Sequence, residues 1–77
     1  MHYTIATLEE AHGNLKLNFD KAGNQYLVGI YNNETKEYTH RTFDDIEQAL
    51  YKFNELSAMI IKGLYLEQHK REFLLKD

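Results

Sequence analysis

Histidines are the residues of this chain best suited to bind a metal or to move a proton. No two of them are separated by the three residues that would place both on one helix face. The four are His2, His12, His40 and His69. Acidic residues lie near His12 and His69 without the regular spacing of a ligand set, so any site would have to be assembled by the fold. We therefore expect surface or half-buried histidines and no metal site.

Nucleophilic catalysis lacks a paired base in the sequence. Ser57 is the only serine, and no histidine lies within one helical turn of it. A hydroxyl that bonds the carbonyl four residues back is the expected role. The chain contains no cysteine, which removes disulfides, thiolate metal sites and thiol redox chemistry. We predict no catalytic activity and no cofactor.

Tyrosine is the more suggestive residue type, since the chain has six tyrosines and no tryptophan. Tyrosine supplies contact area at a small cost in conformational entropy and is enriched at interfaces. Five of the six are candidates for core or surface positions, namely Tyr26, Tyr31, Tyr38, Tyr51 and Tyr65. They cannot all fit inside so small a core. They either ring its edge with their hydroxyls in water or form an interaction surface.

Length and charge restrict the class of partner. Seventy-seven residues make one domain, and a domain of this size buries only about 60% of the surface that its unfolded chain exposes. The net charge of −3 is spread over segments of which none is basic, which disfavours nucleic acid. No signal-peptide pattern and no apolar run of the ~20 residues that cross a bilayer occur. We expect a cytoplasmic protein that binds another protein.

The region from Phe43 to Lys62 has the pattern of a long amphipathic helix. Thr42 followed three residues later by Asp45 resembles a capping box, and carboxylates suit the first turn. Apolar residues recur every three or four positions and predict the face that packs on the core. They include Ile46, Leu50, Phe53 and Ile60, whereas Gln48, Lys52, Asn54 and Glu55 take the opposite, solvent side. Gly63 either ends the helix or interrupts it, and we favour the end.

A β-hairpin precedes the helix. Leu15, Leu17 and Phe19 alternate with polar residues, as in a half-buried strand. A four-residue loop, 21–24, would pair Phe19 with Tyr26 and Leu17 with Val28. The second strand, 25–31, is apolar on both faces and is therefore expected to be central.

Two further segments leave alternatives. After a turn at 32–35, the strand 36–42 places either Tyr38 and His40 or Thr39 and Arg41 on the face of Val28. We favour the first, because burying Arg41 without a partner is costly. In residues 1–12, Thr7 and Glu10 could cap a helical turn, but Tyr3, Ile5 and Thr7 alternate, and we predict a short strand at 3–8.

These elements define an α+β fold in a single domain, 1–77. An antiparallel meander of three or four strands (1–42) is followed by the long helix (43–63) and by a short C-terminal helix (64–77). The helix is expected to pack on one face of the sheet.

The arrangement of 25–56 resembles the sheet-type arm-binding domains of phage and transposon integrases. The likeness is carried by a three-stranded meander before a capped helix, with Tyr31, Lys36, Arg41 and a Thr-Phe-Asp-Asp helix start. Such domains lay the meander in the DNA major groove. The resemblance implies DNA contacts by Lys36 and Arg41. The outward strand positions lack the arginines and lysines that those domains use, so DNA binding is the alternative to a protein partner.

Uncovered apolar residues predict a homodimer. Two of them point away from the predicted helix-covered face, and others lie in the C-terminal segment without an assigned partner. The candidate interface consists of Leu27, Tyr31, Tyr65, Leu66, Phe73 and Leu74. Exchange between two copies would cover these surfaces and add the burial that a small domain needs.

Overall fold

A four-stranded antiparallel sheet precedes the helices in the structure, a computed structural model that describes all 77 residues. The strands are β1 (His2–Glu9), β2 (Leu15–Ala22), β3 (Gln25–Asn32) and β4 (Glu37–Phe43), and they lie in the order β1-β2-β3-β4. Helix α1 spans Ile46–Ile61, a 3-10 turn spans Glu67–His69, and α2 spans Lys70–Leu75. The α+β meander and the strand near the N-terminus are thus confirmed.

One face of the sheet carries the core. Alternation along β2 and β3 puts Leu17, Phe19, Val28 and Ile30 on this face, and all four are buried. Strand β4, helix α1 and the C-terminal segment complete the core with Phe43, Ala49, Leu56, Ile60 and Leu74. Both helices lie on the same side of the sheet, which leaves the opposite face without a helix.

The β2–β3 hairpin differs in register from the prediction by two residues. Ala22 pairs with Gln25, so only Gly23 and Asn24 form the loop, and Phe19 lies opposite Val28. Gly23 adopts a φ of 62°, which permits a two-residue turn. Lys21 extends the strand, and its Nζ lies 5.7 Å from the centroid of the Tyr26 ring. Since a shift of two preserves the faces, the predicted core residues of both strands remain inside.

The predicted faces of β4 are wrong. Val28 pairs with Arg41 and Gly29 with His40, so Arg41 lies on the helix-covered face. The C-terminal segment supplies the partners that the sequence did not reveal. The guanidinium lies 2.8 Å from Asp77 Oδ1, donates to the Leu74 carbonyl at 3.4 Å and sits 4.6 Å from the centroid of the Phe43 ring. Burial of Arg41 is therefore compensated.

Helix α1 begins later than predicted and ends where predicted. Asp45, not Thr42, is the N-cap, and its Oδ1 accepts a hydrogen bond from the Glu47 amide at 3.2 Å. Gly63 has a φ of 73°. Its amide donates to the Ile60 carbonyl at 3.1 Å, and the Leu64 amide donates to the Met59 carbonyl at 2.8 Å. This pair of bonds is a Schellman motif, which ends the helix.

The buried side of α1 is rotated from the predicted one. Ala49, Lys52, Leu56 and Ile60 are buried, whereas Ile46 and Leu50 are exposed and Phe53 is half-buried. The prediction that Lys52 faces solvent and that Ile46 and Leu50 lie in the core is wrong. The cause is α2, which packs beside α1 over β4 and encloses the Lys52 side of the helix.

Candidate interaction surface

The side of α1 that faces α2 and the C-terminal segment, here called the closed side, is built around Lys52. Its side chain is 4% exposed. The ammonium donates to Glu55 Oε1 at 2.8 Å, to the Phe73 carbonyl at 2.9 Å and to the Lys76 carbonyl at 2.7 Å. A lysine has three N–H donors, so each has an acceptor. The two carbonyls belong to the end of α2, where a cation is favoured by the helix dipole.

A charged cluster holds the beginning of the C-terminal segment against β4. Lys70 Nζ donates to Glu37 Oε2 at 2.6 Å and to Glu67 Oε1 at 3.2 Å. The hydrogen bond from Lys70 lowers the pKa of Glu37, and the same bond raises the pKa of Lys70. The closed side is thus fixed by ion pairs at both ends of α2.

The opposite side of α1, toward β1, exposes apolar side chains. Helix α1 packs mainly on β2, β3 and β4, and the first four residues of β1 are exposed. Tyr3, Ile46 and Leu50 are 48%, 46% and 44% exposed. We call these three residues the apolar flank. Buried Phe19 and half-buried Tyr26 and Phe53 are the aromatic residues of the core on the neighbouring positions of β2, β3 and α1.

Contacts between three aromatic rings run from α1 across β2 to β3. Phe53 lies on the same stripe of α1 as Ile46 and Leu50, and its ring centroid is 5.6 Å from that of Phe19. The Tyr26 ring lies 6.3 Å from Phe19 on the other side. Tyr3 of β1 pairs with Lys21, which lies over Tyr26. One end of this row of rings therefore lies on the helix stripe of Ile46 and Leu50, and the other end lies beside the strand partner of Tyr3.

The uncovered face of the sheet is polar and aromatic. Tyr38 stacks on His40 with ring centroids 5.4 Å apart, and its ring covers Gly29. A Cβ at Gly29 would lie 2.3 Å from the Tyr38 hydroxyl, so only glycine allows this contact. Burial, with a smaller effect of the Asp20 carboxylate, raises the pKa of Tyr38.

Asp20 is the one acidic side chain buried on the uncovered face. Its Oδ2 lies 3.2 Å from His2 Nε2, and its Oδ1 has no hydrogen-bond partner. No group of three or more histidines and carboxylates is arranged to hold a metal ion. His2, Asp20 and Tyr38 thus lie together on the uncovered face.

The structure divides the predicted interface residues between two places. Leu27 and Tyr31 lie half-buried on the uncovered face. Leu74 is fully buried in the core of its own chain, and Tyr65 and Phe73 pack against that core with their rings 5.6 Å apart. Leu66 is exposed. The six residues therefore do not form one surface, and the C-terminal segment has its partner within the chain.

The two residues of the DNA alternative are also separated. Lys36 lies exposed in the β3–β4 turn with a φ of 65°. Arg41 lies on the helix-covered face and is paired with Asp77. A sheet placed in a groove would present its uncovered face, and Arg41 is not on that face. The arrangement removes Arg41 from the surface that the resemblance requires.

Sequence reasoning missed Lys52 and assigned two flank residues to the core. The spacing of Lys52 could have indicated its burial, since it lies three residues after Ala49 and four before Leu56 on one helix stripe.

No family model, curated protein or solved structure matches the chain. Neither helix combines the length and the apolar composition needed to span a bilayer.

Proposed function

We propose that this chain is a small non-catalytic protein-binding module that acts in the cytoplasm as a regulator or adaptor and self-associates as a homodimer. The observation that carries the proposal is the apolar flank. Its three side chains are each nearly half exposed beside a row of aromatic rings. Exposed apolar side chains that a partner would cover are typical of interaction sites.

The size of the domain supports self-association. A domain of 77 residues has a thin stability margin, and covering the flank would transfer apolar surface from water at a gain of about 25 cal/mol per Å². A second copy carries the same flank, so a symmetric contact covers both at once. The C-terminal segment, which is buried within its own chain, is not needed for this contact.

The proposal is tested by measuring mass against concentration. Sedimentation equilibrium over the micromolar range should show a reversible monomer–dimer equilibrium for the wild-type chain. Leu50→Asp should shift this equilibrium to the monomer, because it places a charge in the flank. Circular dichroism of each variant checks that the fold is retained.

Tyr51→Asp is the matched control. Tyr51 is adjacent on α1 and 71% exposed, but it lies outside the flank, so its substitution should leave the dimer unchanged. A single-chain mass at every concentration of wild-type protein would overturn self-association. Phe73→Asp is unsuitable as a probe, because Phe73 packs on its own core and its loss would destabilise the monomer.

A further inference from the structure

Strand β1 is an open edge of the sheet. It pairs with β2 alone, so one row of its backbone amides and carbonyls has no partner in the sheet. Natural edge strands are commonly protected by lysine, by proline or by a β-bulge. Within His2–Glu9 there is no lysine or proline, and one bulge lies between Thr4 and Ala6. The other edge, β4, is flanked by α2 and by the Glu37–Lys70 ion pair.

A bulge divides β1 into two halves of similar pattern. The register shifts between Thr4, which lies opposite Asp20, and Ala6, which lies opposite Phe19, so Ile5 is the extra residue. Before the bulge, Tyr3 lies on the helix-covered face, and His2 and Thr4 lie on the uncovered face. After the bulge, Leu8 lies on the helix-covered face, and Thr7 and Glu9 lie on the uncovered face.

The bulge makes β1 complementary to a second copy of itself. In a regular strand, residues 4 and 7 point to opposite faces and cannot lie opposite each other in a symmetric pair. The extra residue brings them to the same face. An antiparallel pair centred on the bulge then places Thr4 opposite Thr7, Tyr3 opposite Leu8 and His2 opposite Glu9.

We infer that β1 pairs antiparallel with β1 of a second copy in this register, which joins the two sheets into one of eight strands. The inference rests on the homodimer proposed above and names its interface. Polar residues meet polar residues on one face, and apolar residues meet on the other. His2 of each copy lies opposite the carboxylate of Glu9, and no like charges are opposed.

The register also connects the strand pair with the apolar flank. Tyr3 belongs to the flank, and in this dimer Leu8 of the second copy packs against it. Cross-strand pairs of this kind contribute to sheet stability. The helices of both copies lie on the same side of the joined sheet, so the two flanks lie next to the shared strands.

Charge pairing at Thr4 and Thr7 tests the register. The double variant Thr4→Lys, Thr7→Glu places opposite charges across the interface twice, whereas Thr4→Lys, Thr7→Lys places like charges there twice. Both variants lose the hydrogen bond from Thr7 to Asn18, so they differ only in the sign of one charge. Opposite charges across the strands attract and like charges repel. The dimer dissociation constant of the Lys–Lys variant should therefore be at least about tenfold higher than that of the Lys–Glu variant.

The control places two lysines near the other edge. Thr35→Lys, Thr42→Lys substitutes exposed threonines and should leave the dimer dissociation constant unchanged. Hydrogen exchange of the wild-type protein should show amides of β1 that become protected as the concentration rises into the dimer range. Tighter dimerisation of the Lys–Glu variant than of the Lys–Lys variant, together with protected β1 amides in the dimer, supports the register.

Two results would overturn the inference and are distinguishable. If wild-type protein dimerises but both β1 variants bind equally, the register is wrong while self-association stands. If wild-type protein remains a monomer at all concentrations, the register and the proposed homodimer both fail.

Discussion

The two sides of α1 differ in what they bury. On the closed side a lysine is almost wholly enclosed, and on the side toward β1 a tyrosine, an isoleucine and a leucine are exposed. Hydropathy alone would assign them the other way round. The difference shows that the burial of a side chain here follows from the element that packs beside it.

The closed side tolerates charge because both of its enclosed cations have partners. The ammonium of Lys52 meets three oxygens, and the guanidinium of Arg41 meets a carbonyl and a carboxylate. Burying a charge is costly unless it is paired and hydrogen-bonded. No further element packs over the flank, so its apolar side chains stay in contact with water.

The largest expected effect compares two leucines of the same helix. Leu56→Ala removes a fully buried side chain and should lower the free energy of unfolding by about 2–5 kcal/mol. Leu50→Ala, on the flank, should cost only about 1 kcal/mol, because nearly half of that side chain is already exposed. Urea unfolding at low protein concentration measures both. Equal losses would contradict the difference between the two sides.

Removing the buried charge should have the next largest effect. Lys52→Met keeps most of the aliphatic volume but leaves Glu55 and the carbonyls of Phe73 and Lys76 without their donor. We expect a loss of about 1.5–3 kcal/mol in the free energy of unfolding. Lys62→Met, at the exposed end of α1, is the control and should stay within about 0.5 kcal/mol of wild type. A neutral Lys52→Met would show that the closed side does not depend on this cation.

Alkaline pH should weaken the closed side through Tyr65. Burial and the neighbouring Glu67 raise the pKa of Tyr65 above its ordinary value of 10.0. The folded chain therefore keeps this tyrosine protonated while the unfolded chain ionises it, so stability is unaffected below that pH and falls as pH rises above it. Urea unfolding as a function of pH measures the fall.

Tyr65→Phe is the matched variant. It should reduce the alkaline loss, because phenylalanine has no hydroxyl that could ionise beside Glu67. An unchanged alkaline dependence in Tyr65→Phe would assign the loss to another group.

The smallest effect concerns the exposed ion pair at the start of α2. Because Lys70 lowers the pKa of Glu37, the contribution of Glu37 is present above its ordinary pKa of 4.5 and is lost as pH falls through the lowered value. Carbon NMR of the Glu37 carboxyl should give a titration midpoint below 4.5. In Lys70→Met the midpoint should return toward 4.5, and a midpoint that did not move would exclude this pair as the cause.

Local patterns were sufficient to predict the meander, the face of each core residue in β2 and β3, and the end of α1 at Gly63. These features depend on alternation and on one glycine, which the sequence displays directly. The residues of α1 and β4 that face the core could not be predicted in this way. They depend on where the segment with Leu74 and Asp77 packs against α1 and β4. No short-range pattern specifies the position of a segment that lies more than thirty residues from Arg41.

The candidate surface was missed for the same reason. Ile46 and Leu50 have helical spacing and apolar side chains, which predict burial. Their exposure follows from α2 packing on the opposite side of α1, which leaves their own side of the helix without a second helix. Phe73 and Leu74 were predicted to lie in an interface, but they pack against the core of their own chain, because they belong to the helix that covers the other side of α1.

The neighbour-to-neighbour order of the strands has a consequence for folding kinetics. Each strand pairs only with the one before or after it in the chain, so the sheet closes through short loops whose entropic cost is low. Such a topology has a low contact order for a β-rich domain and should fold rapidly with a single exponential phase. The contacts that hold α2 against β4 join residues more than thirty positions apart. The amides of α2 should therefore exchange with solvent before those of the central strands, β2 and β3.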